Sequence, residues 1–166
     1  VFARQTERNQ RSIFEMLFEN DVTTPASVRP DPKKWDDSTI TAAWIGHATV
    51  LINLFGTTII TDPVFSRKIG INLLGIATLG PQRLTGPALQ IDELPPIDLI
   101  LLSHAHMDHC DFPSLRQFSR DIPVIMAKNT SDLLVGRGWN EIHELDWGET
   151  LAIKEVTIEA LRVNHF

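Results

Sequence analysis

The chain has a single cysteine, Cys110, so no intramolecular disulfide is available and the sequence suits a reducing compartment. It has no cluster of basic residues. Lys and Arg are spread along the chain, never more than two together, and the net charge is −6, which argues against the cationic surface that nucleic acid requires. It has no long apolar run either. The nearest candidate, residues 69–80, is broken by Gly70, Asn72, Gly75 and Gly80 and falls well short of the ~20 residues a spanning helix needs. There is no internal repeat and no low-complexity segment. The chain starts at Val1 without an initiator methionine or a signal-peptide pattern, so residues upstream of Val1 are expected. The location that follows is cytoplasmic, with peripheral membrane contact through residues 69–79 as an open alternative.

What is present is ordinary globular composition: 166 residues, 43% hydrophobic and 22% charged, enough for one domain with a sizeable core. Two regions are expected, residues 1–40 as an N-terminal helix and extended arm and residues 41–166 as the domain proper. Ile13, Phe14, Leu17 and Phe18 recur at helical spacing and predict an amphipathic helix over 9–20. The prolines between 23 and 37 predict an extended linker, because proline donates no N–H and restricts the residue before it.

Short β-rich runs at 43–45, 50–54 and 58–61, separated by Gly46 and by Phe55-Gly56, read as consecutive antiparallel strands. Residues 65–96 form a connection too long to be simple. Residues 97–103 are apolar but for Asp98 and the terminal Ser103, the pattern of a central strand buried on both faces. Asp111 is placed to cap a helix running through Leu115 and Phe118, 123–127 is a further strand, and Thr130 or Ser131 opens a second helix ending at Gly136 or Gly138. Runs at 141–145, 150–154 and 156–163 read as three more strands. The order predicts an α/β sandwich in which helices cover a sheet.

Directly after the apolar strand come His104, His106, Asp108 and His109 in the pattern H-x-H-x-D-H. Residues two apart in extended chain point the same way, so His104 and His106 can reach one ion, while Asp108 and His109 face a second. Imidazole with carboxylate suits Zn²⁺ or a similar borderline ion. Asp62-Pro63 at a strand end reads as a turn or cap. His143 alternates with its neighbours on a strand and reads as a surface residue, Cys110 as a buried thiol, and Trp139 and Trp147 as packing residues.

The H-x-H-x-D-H cluster, with Thr61-Asp62-Pro63 upstream and Asn164-His165 downstream, resembles the metallo-β-lactamase superfamily. Residues 44–49, 80–83, 93–98 and 144–147 are similar to its N-acyl-phosphatidylethanolamine-hydrolysing phospholipase D branch, over about 43–165. The resemblance implies the N-terminal part of a metallo-β-lactamase-like αβ/βα sandwich and a zinc-dependent hydrolase with two ions in the complete site. His104, His106 and His165 would hold one ion, and Asp108 and His109 would contribute to the other. Asp62 would orient a ligand histidine, and His47 would lie near the mouth of the site. In the implied mechanism two cations lower the pKa of a bridging water, and the hydroxide, oriented by Asp108, attacks phosphorus or a carbonyl carbon.

The family also uses a bridging Asp and a final His that come later than Phe166. The expectation is therefore that the isolated chain is nearly inactive, and that it self-associates or is completed by a C-terminal segment. The expected substrate is a small-molecule or phospholipid-like phosphodiester. A lactone or other C–O ester is the alternative, and a non-catalytic metal-binding or interaction module is a third reading.

Overall fold

The computed structural model describes residues 23–73 and 77–164. The helix expected over 9–20 and the ligand expected at His165 lie outside the described residues. One six-stranded sheet organises the domain: β1 (Ile40–Gly46), β2 (Thr49–Leu54), β3 (Thr57–Thr61), β6 (Leu99–Leu102), β7 (Val124–Ala127) and β8 (Ile142–Leu145), in that spatial order. β1, β2 and β3 form the expected antiparallel meander, and β3, β6, β7 and β8 pair in parallel. Two small hairpins complete the strands, β4 (Ile71–Leu73) with β5 (Ala77–Leu79) and β9 (Thr150–Ile153) with β10 (Val156–Glu159). The long connection over 65–96 thus contains a hairpin of its own.

Alternation along β6 explains why its sequence is apolar at every position. Ile100 and Leu102 join a large core with Ile45, Leu51, Ile60, Leu115, Val124 and Met126, whereas Leu99 and Leu101 turn to the opposite face and pack with Ile59, Ile153 and Val156. Each fully buried aliphatic side chain of this kind contributes about 1.5–3 kcal/mol. The β9–β10 hairpin is tied to that second face by Asp98. Its Oδ2 accepts from Thr58 N at 2.9 Å and its Oδ1 pairs with Lys154 Nζ at 2.6 Å.

The structure revises three expectations about local structure. The helix after Asp111 is a single turn, α1 (Phe112–Leu115), capped by Asp111 accepting from Ser114 N. Gln117 N and Phe118 N then donate three residues back, to Ser114 O and Leu115 O, so the chain tightens instead of continuing as α-helix. The second helix is reduced to a 3-10 turn, Ser131–Leu133, because Asn129, Gly136 and Gly138 all have left-handed backbone, at φ 64°, 77° and 85°. The last strand ends at Glu159 rather than 163.

The segment over 23–37 is extended but is not a free linker. Thr24 N donates to Leu84 O, Gly86 N donates to Thr24 O, and Trp35 packs against the main core. Among the described residues no helix is long and apolar enough to cross a membrane.

Candidate metal centre

The histidine-rich turn begins where β6 stops. His109 N and Cys110 N both donate to His106 O, at 2.9 and 2.7 Å, and this folds the segment back on itself. The fold-back brings three imidazoles together: ring centroids lie 4.6 Å apart for His104 and His106 and 4.0 Å apart for His104 and His109. His109 Nε2 lies 3.6 Å from Asp108 Oδ2. The three rings therefore form one group, with Asp108 beside it.

Asp62 sets the tautomers of two of these rings. It sits just past β3 at φ 39°, is only 6% exposed, and is held by Asp62 N donating to Leu101 O and Thr49 Oγ1 donating to Asp62 O. A carboxylate only accepts, so His109 Nδ1, 2.8 Å from Asp62 Oδ2, must carry the proton, and Nε2 is left as the lone-pair atom. Ser103 Oγ donates to the same Oδ2 at 2.7 Å and stands 2.9 Å from His104 Nδ1. With its one proton committed to Asp62, the hydroxyl accepts from His104 Nδ1–H, which leaves Nε2 of His104 as the donor to an ion as well. Ser103 N donates to Asp62 Oδ1 at 2.7 Å, which completes the arrangement. Sequence reasoning missed Ser103; its only signal is its place between the apolar strand and the first histidine.

His47 enters from the β1–β2 turn, at the same end of the sheet as the ends of β3 and β6. It occupies the β1–β2 turn at φ 52°, where Trp44 Nε1 donates to its carbonyl at 2.7 Å, and its Nε2 is 3.4 Å from Asp108 Oδ2. Gly46 beside it has φ 135°, and a Cβ there would lie 2.5 Å from the guanidinium of buried Arg83, so only glycine fits. Arg83 in turn donates through NH1 to Val64 O and stabilises the loop that follows Asp62. Partial burial opposes ionisation of Asp108. The backbone N–H of Asp108 itself, the nearby His109 and the hydrogen bond from His47 outweigh it and hold the carboxyl below its ordinary range.

One ligand atom from each of His47, Asp108 and His109 lies within 4.8 Å of the others. Two imidazoles and a carboxylate at that spacing, with the rings of His104 and His106 adjoining, form a donor set that fits a borderline divalent cation such as zinc or iron. His143 is elsewhere, with Nε2 2.7 Å from Glu141 Oε1. Cys110 is buried, and burial pushes its thiol up to about 11. Trp139 packs against the core, but Trp147 is 61% exposed with the Arg162 guanidinium 4.9 Å from its ring, so it is not the packing residue expected.

A mixed sheet with a His/Asp cluster at the carboxyl end of its central parallel strand defines an α/β metal-site domain. Residues 57–166 match the beta-lactamase superfamily domain, and the chain belongs to that superfamily, with the metallo-β-lactamase fold. It is similar to N-acyl-phosphatidylethanolamine-hydrolyzing phospholipase D 1 of Caenorhabditis elegans, 30% identical over 78% of this chain and 38% of that protein. It is also similar to the mitochondrial N-acyl-phosphatidylethanolamine-hydrolyzing phospholipase D of Saccharomyces cerevisiae, 39% identical over 68% of this chain and 23% of that protein. Among solved structures it resembles CmlA, a diiron beta-hydroxylase from Streptomyces venezuelae, with a TM-score of 0.54, 26% identity, and coverage of 74% of this chain and 24% of CmlA. The chain spans less than half the length of the curated relatives it matches.

Proposed function

We propose that the chain carries the metal centre of a hydrolase acting on phosphodiesters, of the phospholipase D kind, with zinc as the resident ion in two positions. The observation that carries this reading is the Asp62 arrangement, which directs Nε2 of both His104 and His109 away from their hydrogen-bonded sides. Such an outer partner is what fixed metal ligands require and what solvated surface histidines lack. The two phospholipase D relatives point the substrate class toward phospholipid-like diesters.

In this reading His104 and His106, with His165, hold one ion, while Asp108 and His109 hold the other. When bound, the cations supply Lewis acidity that acidifies water and neutralises charge developing on phosphoryl oxygens. Asp108 is the catalytic residue of the chain itself: its carboxylate, kept ionised and steered by His47, accepts a hydrogen bond from the attacking water and aligns it. Asp62 and Ser103 keep the imidazoles in the tautomer that leaves Nε2 unprotonated.

The test is elemental analysis of the purified protein, together with hydrolysis of bis(p-nitrophenyl) phosphate and of N-acyl-phosphatidylethanolamine vesicles, with a lactone as the competing substrate. Two zinc ions and diester turnover are expected. Iron in their place revises the metal, as the diiron neighbour would suggest. Lactone turnover without diester turnover overturns the substrate class, and metal uptake with no hydrolysis of any substrate leaves only a binding module.

A further inference from the structure

On the outer side of α1 lies a cavity of about 290 Å³ lined by Phe112, Arg116, Arg120, Leu134, Arg137 and Trp139 among others. Three of its lining residues are arginines and none is acidic, in a chain whose net charge is −6. Among the described residues no acidic side chain pairs with any of the three. Two of them are held in place without one. Arg120 lies with its guanidinium 4.6 Å from the centroid of Trp139 and donates through NH1 to Leu115 O at 2.8 Å. Arg137 lies 4.1 Å from the centroid of Phe112 and donates through Nε to Leu133 O at 2.6 Å.

Each of these guanidiniums therefore spends one of its five N–H donors on a backbone carbonyl and keeps the rest, already oriented, for something else. Covering two aromatic rings accounts for two arginines but not for Arg116, which lines the same cavity and, like Arg137, is exposed. The loop is built to leave room there. Arg137 stands between Gly136 and Gly138, both in left-handed backbone, and a Cβ at Gly136 would meet nothing within 4 Å.

We propose that this cavity is an anion site, separate from the metal centre, that takes a phosphate group carried on a small apolar or aromatic body. The phosphate would be held bidentately by the arginines, and the body would rest against Phe112, Leu134 and Trp139. Guanidinium forks match tetrahedral oxyanions in geometry and charge, and the apolar side chains beside them offer a surface for the body that carries the phosphate. A volume of about 290 Å³ suits a ligand of that size and not a long chain. Because α1 starts three residues beyond His109, occupancy would also stiffen the element that follows the metal ligands.

Binding is tested on the metal-loaded protein with phenyl phosphate as the soluble probe and phosphatidic acid vesicles as the membrane probe, followed by nuclear magnetic resonance and calorimetry. The expected result is a saturable shift of the Trp139 indole N–H and the Arg120 and Arg137 Nε–H signals. Arg120→Gln and Arg137→Gln should each weaken binding about tenfold, the size of one lost charge-assisted contact. Arg116→Gln, which removes no structural bond, should weaken it as well and guards against a merely unfolded variant. A response to phenyl phosphate supports a soluble ligand. A response confined to vesicles, still dependent on the arginines, shows a lipid phosphate instead and overturns the small body. Shifts confined to the histidine turn, or affinity unchanged in all three variants, overturn the proposal.

Discussion

Asp62 and Glu144 use the same chemistry to different ends. Both are carboxylates in the parallel half of the sheet, and both accept backbone N–H groups: Asp62 from Ser103, Glu144 from Thr130 and Ser131 at 2.9 and 2.6 Å. Asp62 is buried, and its remaining oxygen reaches an imidazole and a hydroxyl that contacts another imidazole. Glu144 stands near the surface and ties down the turn after β7. A carboxylate becomes part of a site only where burial removes water as its partner and the neighbouring loop supplies rings that need orienting.

The most direct way to break this contrast is Asp62→Ala. It leaves Ser103 N, Ser103 Oγ and His109 Nδ1 without their acceptor, and each orphaned polar group costs about 1–3 kcal/mol. Metal affinity should fall by about 10–100-fold, as for other lost outer partners. Chelator competition and urea unfolding measure the two effects, and an unchanged affinity would remove Asp62 from the centre. On metal content alone His106→Ala should go further and abolish metal at the position shared with His104, whereas His143→Ala, whose ring pairs only with Glu141 among the described residues, should leave metal content unchanged by elemental analysis.

Glu144 sharpens the other side of the contrast. Its hydrogen bonds from Ser131, with backbone N–H groups of Asn129 and Thr130, hold its carboxyl at about 2, below the ordinary 4.5. A group depressed on folding stabilises the fold above the unfolded value and loses that contribution as pH falls through the folded one. The stability of the wild type should therefore decline between about pH 4.5 and pH 2 more steeply than that of Glu144→Gln, read from urea midpoints across that range. The smallest effect concerns Cys110. With its thiol raised to about 11, alkylation by iodoacetamide at pH 8 should be slow in the folded protein and fast after denaturation, as followed by mass spectrometry.

The central strand and the β1–β3 meander are readable in the sequence because alternation and burial leave a direct trace in residue type: β6 is apolar at every position since both its faces are covered. The helices are not readable in the same way. Leu115 and Phe118 are spaced for a helix, but i+3 bonds and left-handed Gly136 and Gly138 outweigh local propensity. At the site, His104, His106, Asp108 and His109 stand out because they are contiguous. The Ser103 hydroxyl relay and the arginine cavity leave no such trace, since serine before a turn is common and Arg116, Arg120 and Arg137 come from two segments that meet only in the fold.

The parallel pairing of β3 with β6 also dictates when the centre comes into being. The meander closes through turns of a few residues, but Thr58 and Asp98 are 40 positions apart, and ordering so long a loop is slow. Asp62 and Ser103 meet only after that closure, so the meander should gain amide protection in pulse-labelled hydrogen exchange before the histidine turn does. Simultaneous protection of both would show that they form together. Metal added during refolding would then find its ligands in place only at the last step, acting as a latch on a finished sheet rather than as a seed for it.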